Sequence, residues 1–295
     1  MPVAVPRTVD EATRLLADAP EAMLLAGGTD AMVEINDGHR RPTDLVIALN
    51  RIGELRSWTH DPAAGTLTIG AAVTYTELMA EPLASLVPAL AEASRTVGSP
   101  QIRNAGTLGG NLGTCSPAGD GLPVLSALDA DVRLVSSTGE RTLPVDELMV
   151  GVKRTALEPG ELIADITVPT QRGWQGYAKV GVRNAMVIAV ASACLAVDDD
   201  RQQVSIALGS VGPTTLRCRE AESQLAGAVD WASRTVDDGA LADFGRLVSD
   251  ASTPITDHRS TADYRRHAVG VLGRRLARRA FGAVSSDSTS TGSAA

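Results

Sequence analysis

The sequence predicts an α+β protein made of a larger N-terminal domain and a smaller C-terminal domain. Its 295 residues exceed the usual size of one domain. In the first half, short apolar runs alternate with segments of helical periodicity, whereas the C-terminal part places extended apolar segments before one long helix. Hydrophobic residues at 44% and charged residues at 21% are typical of a globular chain with a buried core.

A first subdomain is expected over residues 1–52. Thr8 followed by Glu11 has the pattern of a capping box, which predicts that a helix begins here. The apolar run "EAMLLAGG" and the later run "DLVIALN" predict two short buried strands, with a helical segment between them. Two buried strands that are joined through a helix favour a parallel pair.

A second subdomain is expected over residues 53–170. Thr74 with Glu77 forms another capping box, and the segment from Leu86 to Val97 has one apolar helical face. The later elements are a hairpin around Thr138-Gly139 and a strand that ends at Pro169.

The smaller C-terminal domain is expected over residues 174–282. The segments "GYAKVGVRNAMVIAVASACLAVDD" and "QQVSIALGSVG" predict antiparallel strands, and "ADYRRHAVGVLGRRLARRAF" predicts a closing helix. The tail 283–295 has almost no large apolar residue, so we expect it to be disordered.

Charge and cysteine content exclude several function classes. A net charge of −8 disfavours a general nucleic-acid binder, which needs a basic surface to meet phosphate. The three cysteines and four histidines are scattered, so they predict neither a zinc site nor an iron–sulfur site. No pair of side chains is spaced for acid–base catalysis, and we therefore assign no catalytic and no metal-binding residue.

The chain is expected to be cytoplasmic and to have no membrane partner. Sparse, unpaired cysteines suit a reducing compartment. The longest apolar run, "AMVIAVASACLAV", is too short to span a bilayer and predicts a buried strand instead.

Two glycine-rich turns indicate a site where the backbone approaches a ligand. They are "LLAGGTDAM" and "NAGTLGGNLGTCSPAGDG", and each exposes successive N–H groups that suit an anion. Two such turns that converge suit a diphosphate, as in a dinucleotide. The first turn taken alone is explained slightly better as a purely structural turn, whereas the second is not. The predicted donors are Gly27, Gly28, Thr29 and Asp30 in the first turn, and Thr107, Gly109, Gly110 and Asn111 in the second.

The sequence around these turns excludes two common phosphate sites. It contains neither the G-x-G-x-x-G of a Rossmann fold nor the G-x-x-x-x-G-K-[ST] of a P-loop. Since a carboxylate repels phosphate, Asp30 is predicted to turn away and cap the helix that begins near Ala31. Asp120 is predicted to cap the short helix that follows it, and it is also placed to accept hydrogen bonds from ribose hydroxyls.

Three motifs in this order resemble the FAD-binding subunit of molybdenum hydroxylases, the family of the carbon monoxide dehydrogenase medium subunit and of the xanthine dehydrogenase flavin subunit. They are "LLAGGTDAM", "QIRNAGTLGGNLGTCSPAGDGLPVLSALDA" and "YAKVGVRNAMVIAVASA". The resemblance covers roughly residues 1–280. It implies a two-subdomain FAD-binding domain of the PCMH type followed by the family's C-terminal domain.

The same resemblance implies which residues contact FAD. The turn residues would contact the diphosphate and its neighbourhood, Asp120 the ribose, Ile163 the rings, and Lys179 the cofactor. Lys179 is one of two lysines and lies in an apolar strand. From the sequence alone, a side chain whose apolar stem lies over the core and whose charge stays at the surface explains it equally well. The implied cofactor-binding residues are Leu24, Leu25, Ala26, Gly27, Gly28, Thr29, Asp30, Ala31, Val97, Thr107, Leu108, Gly109, Gly110, Asn111, Asp120, Ile163 and Lys179.

The implied function is electron transfer within a heterotrimeric molybdenum-containing hydroxylase or dehydrogenase. A large subunit would hold the molybdopterin cofactor, a small subunit would hold the 2Fe-2S clusters, and FAD in this chain would reduce an external acceptor. Two alternatives stay open. One is a self-sufficient FAD-dependent oxidoreductase of related fold, and the other is a non-catalytic subunit that has lost FAD.

Overall fold

The computed structural model describes residues 2–39, 43–170 and 172–284. Helices and sheets are mixed along the chain, and the two largest sheets are antiparallel. The predicted α+β class is therefore confirmed. The elements are labelled β1–β16 and α1–α12 in chain order.

The first subdomain is a three-stranded parallel sheet in the order β1-β3-β2. The predicted strand, helix and parallel strand are thus confirmed. Thr8 accepts a hydrogen bond from the backbone N–H of Glu11 at 3.1 Å, and this cap begins the first helix as predicted. The predicted capping box is only half formed, because the Glu11 carboxylate accepts from the N–H of Arg7 at 2.7 Å and not from that of Thr8. The elements are β1 Val3–Ala4, α1 Val9–Asp18, β2 Met23–Leu25, α2 Ala31–Asn36 and β3 Val46–Ala48.

The second subdomain is a five-stranded antiparallel sheet in the order β4-β5-β10-β6-β7, with six short helices inserted between β5 and β6. Two 3₁₀ turns, Leu49–Arg51 and Glu54–Arg56, lead into it. The strands of this sheet are β4 Trp58–Asp61, β5 Thr66–Gly70, β6 Asp131–Ser136, β7 Gly139–Pro144 and β10 Leu162–Pro169. A separate antiparallel hairpin is formed by β8 Met149–Gly151 and β9 Arg154–Thr155. The helices are α3 Tyr75–Leu78, α4 Leu83–Leu86, α5 Pro88–Thr96, α6 Pro100–Ala105, α7 Leu108–Thr114, α8 Leu122–Ala127 and α9 Val145–Leu148.

Local signals in this subdomain behave as expected, with one exception. Thr74 and Glu77 form the full capping box, and β6 and β7 form the predicted hairpin. The single helical face expected from Leu86 to Val97 is wrong, because the chain ends one helix at Leu86 and starts another at Pro88. Proline suits the first turn of a helix but interrupts the interior of one.

The C-terminal domain has a four-stranded antiparallel sheet with helices on one face, as predicted. Its other face packs on α5 and α8, so β12 is buried on both faces and reads as a continuous apolar run. The elements are β11 Gln175–Val180, β12 Ala191–Asp198, β13 Gln203–Gly209, β14 Leu216–Arg217, α10 Arg219–Ala228, β15 Thr235–Asp237, α11 Asp238–Ala251, α12 Ala262–Ala280 and β16 Gly282–Val284.

Two expectations concern the ends of this domain. The closing helix α12 buries Ala268, Leu272 and Leu276, as its apolar pattern predicts. After α12, β16 pairs in parallel with β15 as far as Val284. The expected disordered tail begins inside this strand, and its remaining residues, 285–295, lie outside the described residues.

Candidate functional site

The two glycine-rich turns meet at one cavity of about 570 Å³. A Cβ placed on Gly110 would lie 3.9 Å from the Cβ of Ala26, so the two turns are in contact. The hydroxyl of Thr114, at the end of α7, donates to the carboxylate of Asp30 at 3.2 Å. The first subdomain and the second subdomain therefore form opposite walls of the cavity.

The first turn offers unpaired backbone donors to this cavity. No N–H group of residues 26–31 donates a hydrogen bond to another residue that the structure describes. Gly28 has φ +70°, a conformation that a glycine adopts without strain. A Cβ on Gly27 would lie 1.8 Å from the carbonyl oxygen of Ala105, so the backbone passes too close to α6 for any side chain. Successive free N–H groups in such a turn form a concave anion site.

The N–H groups of the second turn are bonded to other groups of the protein. The N–H of Leu108 donates to Val73 at 3.1 Å, that of Gly109 donates to Ala71 at 2.8 Å, and that of Gly110 donates to the Thr107 hydroxyl at 3.0 Å. The N–H of Asn111 donates to the Thr107 carbonyl, so the prediction of free backbone donors is wrong for Gly109, Gly110 and Asn111. For the fourth predicted donor, Thr107, it stays a prediction.

The second turn therefore forms a wall of the cavity through close packing. A Cβ on Gly109 would lie 2.5 Å from the Cβ of Ala71, so only glycine lets α7 approach the residue that follows β5 this closely.

Both predicted carboxylate caps are wrong. Helix α2 does begin at Ala31, but the Asp30 side chain makes no cap and accepts from Thr114 instead. Helix α8 begins after Gly121 without a side-chain cap, and Asp120 turns toward the C-terminal domain. In both cases a tertiary partner competes successfully for the carboxylate.

Asp120 and Lys179 form a second, buried cluster. The Lys179 ammonium donates to the Asp120 carboxylate at 2.7 Å and to the Thr96 carbonyl at 3.0 Å, while the Tyr177 hydroxyl donates to Asp120 at 2.7 Å. Burial raises the pKa of Asp120 and outweighs the opposing effect of Lys179 on that pKa. Val97 follows Thr96 directly, so it belongs to the same neighbourhood.

The structure thus divides the predicted cofactor residues between two places. Leu108 is fully buried beneath the cavity, and Val97, Asp120 and Lys179 belong to the buried cluster and do not line the cavity. The residues that line it are Leu24, Leu25, Ala26, Gly27, Gly28, Thr29, Asp30, Ala31, Thr107, Gly109, Gly110, Asn111 and Ile163.

Among the cavity residues that were not predicted are Tyr75, Glu34 and Lys153. The pKa of Tyr75 is raised first by burial and then by the carboxylates of Asp120 and Asp30, which places this tyrosine within electrostatic reach of both groups of residues. Glu34 and Lys153 form an ion pair with 2.5 Å between Oε1 and Nζ. The scarcity of lysine was a signal that could have drawn attention to Lys153.

The described residues hold neither a membrane-spanning helix nor a cluster of metal ligands. Among residues 2–39, 43–170 and 172–284, no helix is both long enough and apolar enough to cross a membrane. Within those same ranges, histidine, cysteine, aspartate and glutamate side chains form no group of three or more that could hold a metal ion.

Comparison with known protein families decides the identity of the fold. Residues 1–171 match the FAD-binding domain of molybdopterin dehydrogenases, and residues 177–280 match the C-terminal domain of carbon monoxide dehydrogenase flavoproteins. The chain belongs to this family of flavin subunits. The match covers the whole cavity and the buried cluster, and it makes the chain an oxidoreductase subunit with an FAD-binding domain.

Individual relatives of this flavin subunit extend over most of its length. It is 37% identical over 236 residues to the nicotinate dehydrogenase FAD-subunit of Eubacterium barkeri, covering 76% of this chain and 78% of that protein. It is 31% identical to the glyceraldehyde dehydrogenase medium chain of Sulfolobus acidocaldarius, covering 90% and 92%. A chain of carbon monoxide dehydrogenase from Hydrogenophaga pseudoflava superposes with a TM-score of 0.85 at 29% identity, covering 95% of this chain and 96% of that one.

Proposed function

We propose that this flavin subunit binds the FAD diphosphate on the first glycine-rich turn and relays electrons from iron–sulfur clusters of a partner subunit to an external acceptor. The observation that carries the proposal is that residues 26–31 line a cavity of about 570 Å³ while none of their N–H groups donates to another described residue. That volume lies within the roughly 300–1,000 Å³ of cofactor and small-molecule sites.

The residues of the cavity fit FAD. The free N–H groups of the first turn suit a diphosphate, and Gly27 leaves no room for a side chain between that turn and α6. Apolar side chains such as Leu55 and Ile163 line the same cavity and suit the flat rings of a dinucleotide. When bound, FAD supplies the one- and two-electron redox chemistry, and the protein positions it.

The buried cluster has a positioning role in this proposal. Each Asp120 oxygen accepts one bond, and a carboxylate has about four lone-pair sites, so it keeps the capacity to accept from a ribose hydroxyl. Lys179 and Val97 are proposed as cofactor contacts on the strength of the family resemblance. In addition, Lys179 fixes the orientation of Asp120 through their direct bond.

The partners in this proposal follow from the relatives and from the cysteines. Cluster ligation by thiolates requires about four cysteines, whereas Cys115, Cys194 and Cys218 are free thiols, each buried in a separate part of the chain. Relatives are called medium chains, which implies companion chains. We therefore place the 2Fe-2S clusters on a small partner and the molybdopterin cofactor on a large one. The complex is proposed to be cytoplasmic, because that compartment keeps free thiols reduced.

The experiment is to purify the tagged full chain from its own cells and analyse what accompanies it. We expect an absorption spectrum of flavin, release of FAD on heating, and molybdenum and iron in fixed ratio to the chain. A preparation that carries FAD but neither metal would contradict the role in a molybdenum enzyme. A colourless preparation that stays colourless after FAD is added would contradict cofactor binding itself.

The self-sufficient oxidoreductase is tested with the same material. In the proposed function, the complex oxidises its substrate, whereas the separated flavin subunit only passes electrons from a chemical reductant to an acceptor. Substrate oxidation by the separated subunit at the rate of the complex would favour the self-sufficient enzyme.

A further inference from the structure

An ion pair joins the two walls of the cavity. The Nζ of Lys153 lies 2.5 Å from the Oε1 of Glu34, and both side chains line the cavity. Glu34 lies on α2, directly after the first glycine-rich turn, whereas Lys153 lies in the β8–β9 hairpin of the second subdomain. The Lys153 side chain is 54% exposed.

The backbone of Lys153 is held in place by the second glycine-rich segment. Its N–H donates to the carbonyl of Cys115 at 3.0 Å, and Cys115 ends α7. Lys153 also has φ +52°, in the left-handed region that is strained for a residue with a Cβ. Strained residues that are held in place by their surroundings cluster at active sites and ligand-binding sites.

The charges of the cavity lining identify what Lys153 can do. Among the described residues that line the cavity, the charged side chains are Asp30, Glu34 and Lys153, so two carboxylates face one ammonium. A dinucleotide brings further negative charge on its diphosphate. The backbone N–H groups of the first turn carry only partial charges, so among the described lining residues Lys153 is the one that carries a full positive charge.

We propose that Lys153 is a positioning residue that supplies the counter-charge for the diphosphate, and that it exchanges Glu34 for the diphosphate when the dinucleotide binds. The inference rests on the proposed function, since it concerns how the same cavity holds FAD. Glu34 is then a competitor of the diphosphate for the Lys153 ammonium. The alternative is a purely structural clasp, in which the pair holds the two subdomains together whether or not FAD is bound.

Substitution of each partner separates these two roles by the sign of the effect. For a counter-charge, Lys153→Met weakens FAD binding about tenfold, Lys153→Arg largely preserves it, and Glu34→Gln tightens it, because the competitor has lost its charge. For a structural clasp, Lys153→Met and Glu34→Gln both weaken binding. The measurement is titration of the full chain, freed of flavin, with FAD, followed by quenching of flavin fluorescence.

The matched control is Arg154→Met. Arg154 is the next residue of the hairpin, is exposed and does not line the cavity, so its loss changes the net charge equally and leaves the FAD dissociation constant unchanged. Raising the salt concentration weakens FAD binding more steeply in the unsubstituted chain than in Lys153→Met.

The results that overturn the inference are distinct from the failure of the proposed function. Equal FAD affinity of Lys153→Met and the unsubstituted chain, or weaker binding by Glu34→Gln, overturns the counter-charge role. If Lys153→Met does not fold, the direction of the Glu34→Gln effect decides. Absence of FAD binding by the unsubstituted chain would instead contradict the proposed function.

Discussion

Asp120 and Lys179 form an ion pair that ties the two domains together. The Oδ2 of Asp120 lies 2.7 Å from the Nζ of Lys179, and their side chains are only 9% and 6% exposed. Asp120 precedes α8 of the flavin domain, whereas Lys179 lies on β11 of the C-terminal domain. Lys179 also donates to the carbonyl of Thr96 at the end of α5, so each charge is bonded across the boundary.

Breaking this pair from one side should destabilise the protein strongly. Asp120→Asn leaves the Lys179 ammonium buried without a full counter-charge, and removal of one partner of a buried ion pair costs about 3–5 kcal/mol. We expect the free energy of unfolding in urea to fall by that amount. The control is Asp250→Asn, which breaks an exposed pair with Arg246 and should change stability by less than about 1 kcal/mol. Equal effects of the two substitutions would show that the buried pair contributes no more to stability than the exposed pair.

Tyr177 should contribute through its hydroxyl. It is buried and donates to Asp120 at 2.7 Å, and a hydrogen bond to a charged group contributes about 1.5–3 kcal/mol. Tyr177→Phe should therefore lower the free energy of unfolding by about that amount. Tyr264→Phe is the control, because the Tyr264 ring is half exposed. Thermal unfolding that is unchanged in Tyr177→Phe would contradict this contribution.

The parts of the fold that depend on neighbouring residues could be predicted from sequence. The capping box of Thr74 with Glu77, the hairpin around Gly139 and the burial of β12 all depend on residues a few positions apart or on simple alternation. The family motifs added the two-domain order and placed both glycine-rich turns at one site.

The parts of the site that depend on distant contacts could not be predicted. The N–H groups of Leu108 and Gly109 are occupied by Val73 and Ala71, and no local pattern reveals which strand α7 will meet. Asp120 was expected to cap its own helix, yet Lys179 is 59 residues away and offers a full charge. The pairing of Lys153 with Glu34 likewise joins residues 119 apart.

Gly27 and Gly109, one in each glycine-rich turn, should not tolerate a methyl group. A Cβ on Gly27 would lie 1.8 Å from the Ala105 oxygen, and one on Gly109 would lie 2.5 Å from the Ala71 Cβ. Gly27→Ala and Gly109→Ala should each lower the free energy of unfolding by about 1–3 kcal/mol, since overpacking forces the backbone to shift. Urea unfolding of the flavin-free chain measures this effect without any contribution from FAD binding.

Gly113 provides the matched control for these two substitutions. It lies in α7 and lines the same cavity, but a Cβ there would meet nothing within 4 Å. Gly113→Ala should raise the free energy of unfolding by about 0.5–1 kcal/mol, because alanine favours a helix over glycine. If all three alanine variants lose the same stability, the close approach at Gly27 and Gly109 is not the cause.

Acid should release the tie between Asp257 and the start of α12. The Asp257 carboxylate accepts from the buried Arg265 guanidinium at 2.7 Å and from the N–H of Arg259 at 2.9 Å. Burial alone would raise the pKa of Asp257, but these donors outweigh it and hold that pKa well below its usual range.

Because the pKa of Asp257 is lower in the folded chain than in the unfolded chain, its contribution to stability is complete above the unfolded value of about 4 and is lost as the pH falls toward the folded value. Asp257→Asn should lower the free energy of unfolding by about 1–3 kcal/mol at pH 7, and the difference from the unsubstituted chain should shrink below about pH 4. Unfolding curves from pH 7 down to pH 3 measure this convergence. Asp263→Asn removes a carboxylate that is almost fully exposed. The free energy of unfolding of this variant should change with pH in the same way as that of the unsubstituted chain. Parallel curves for Asp257→Asn as well would mean that Asp257 does not carry the acid sensitivity.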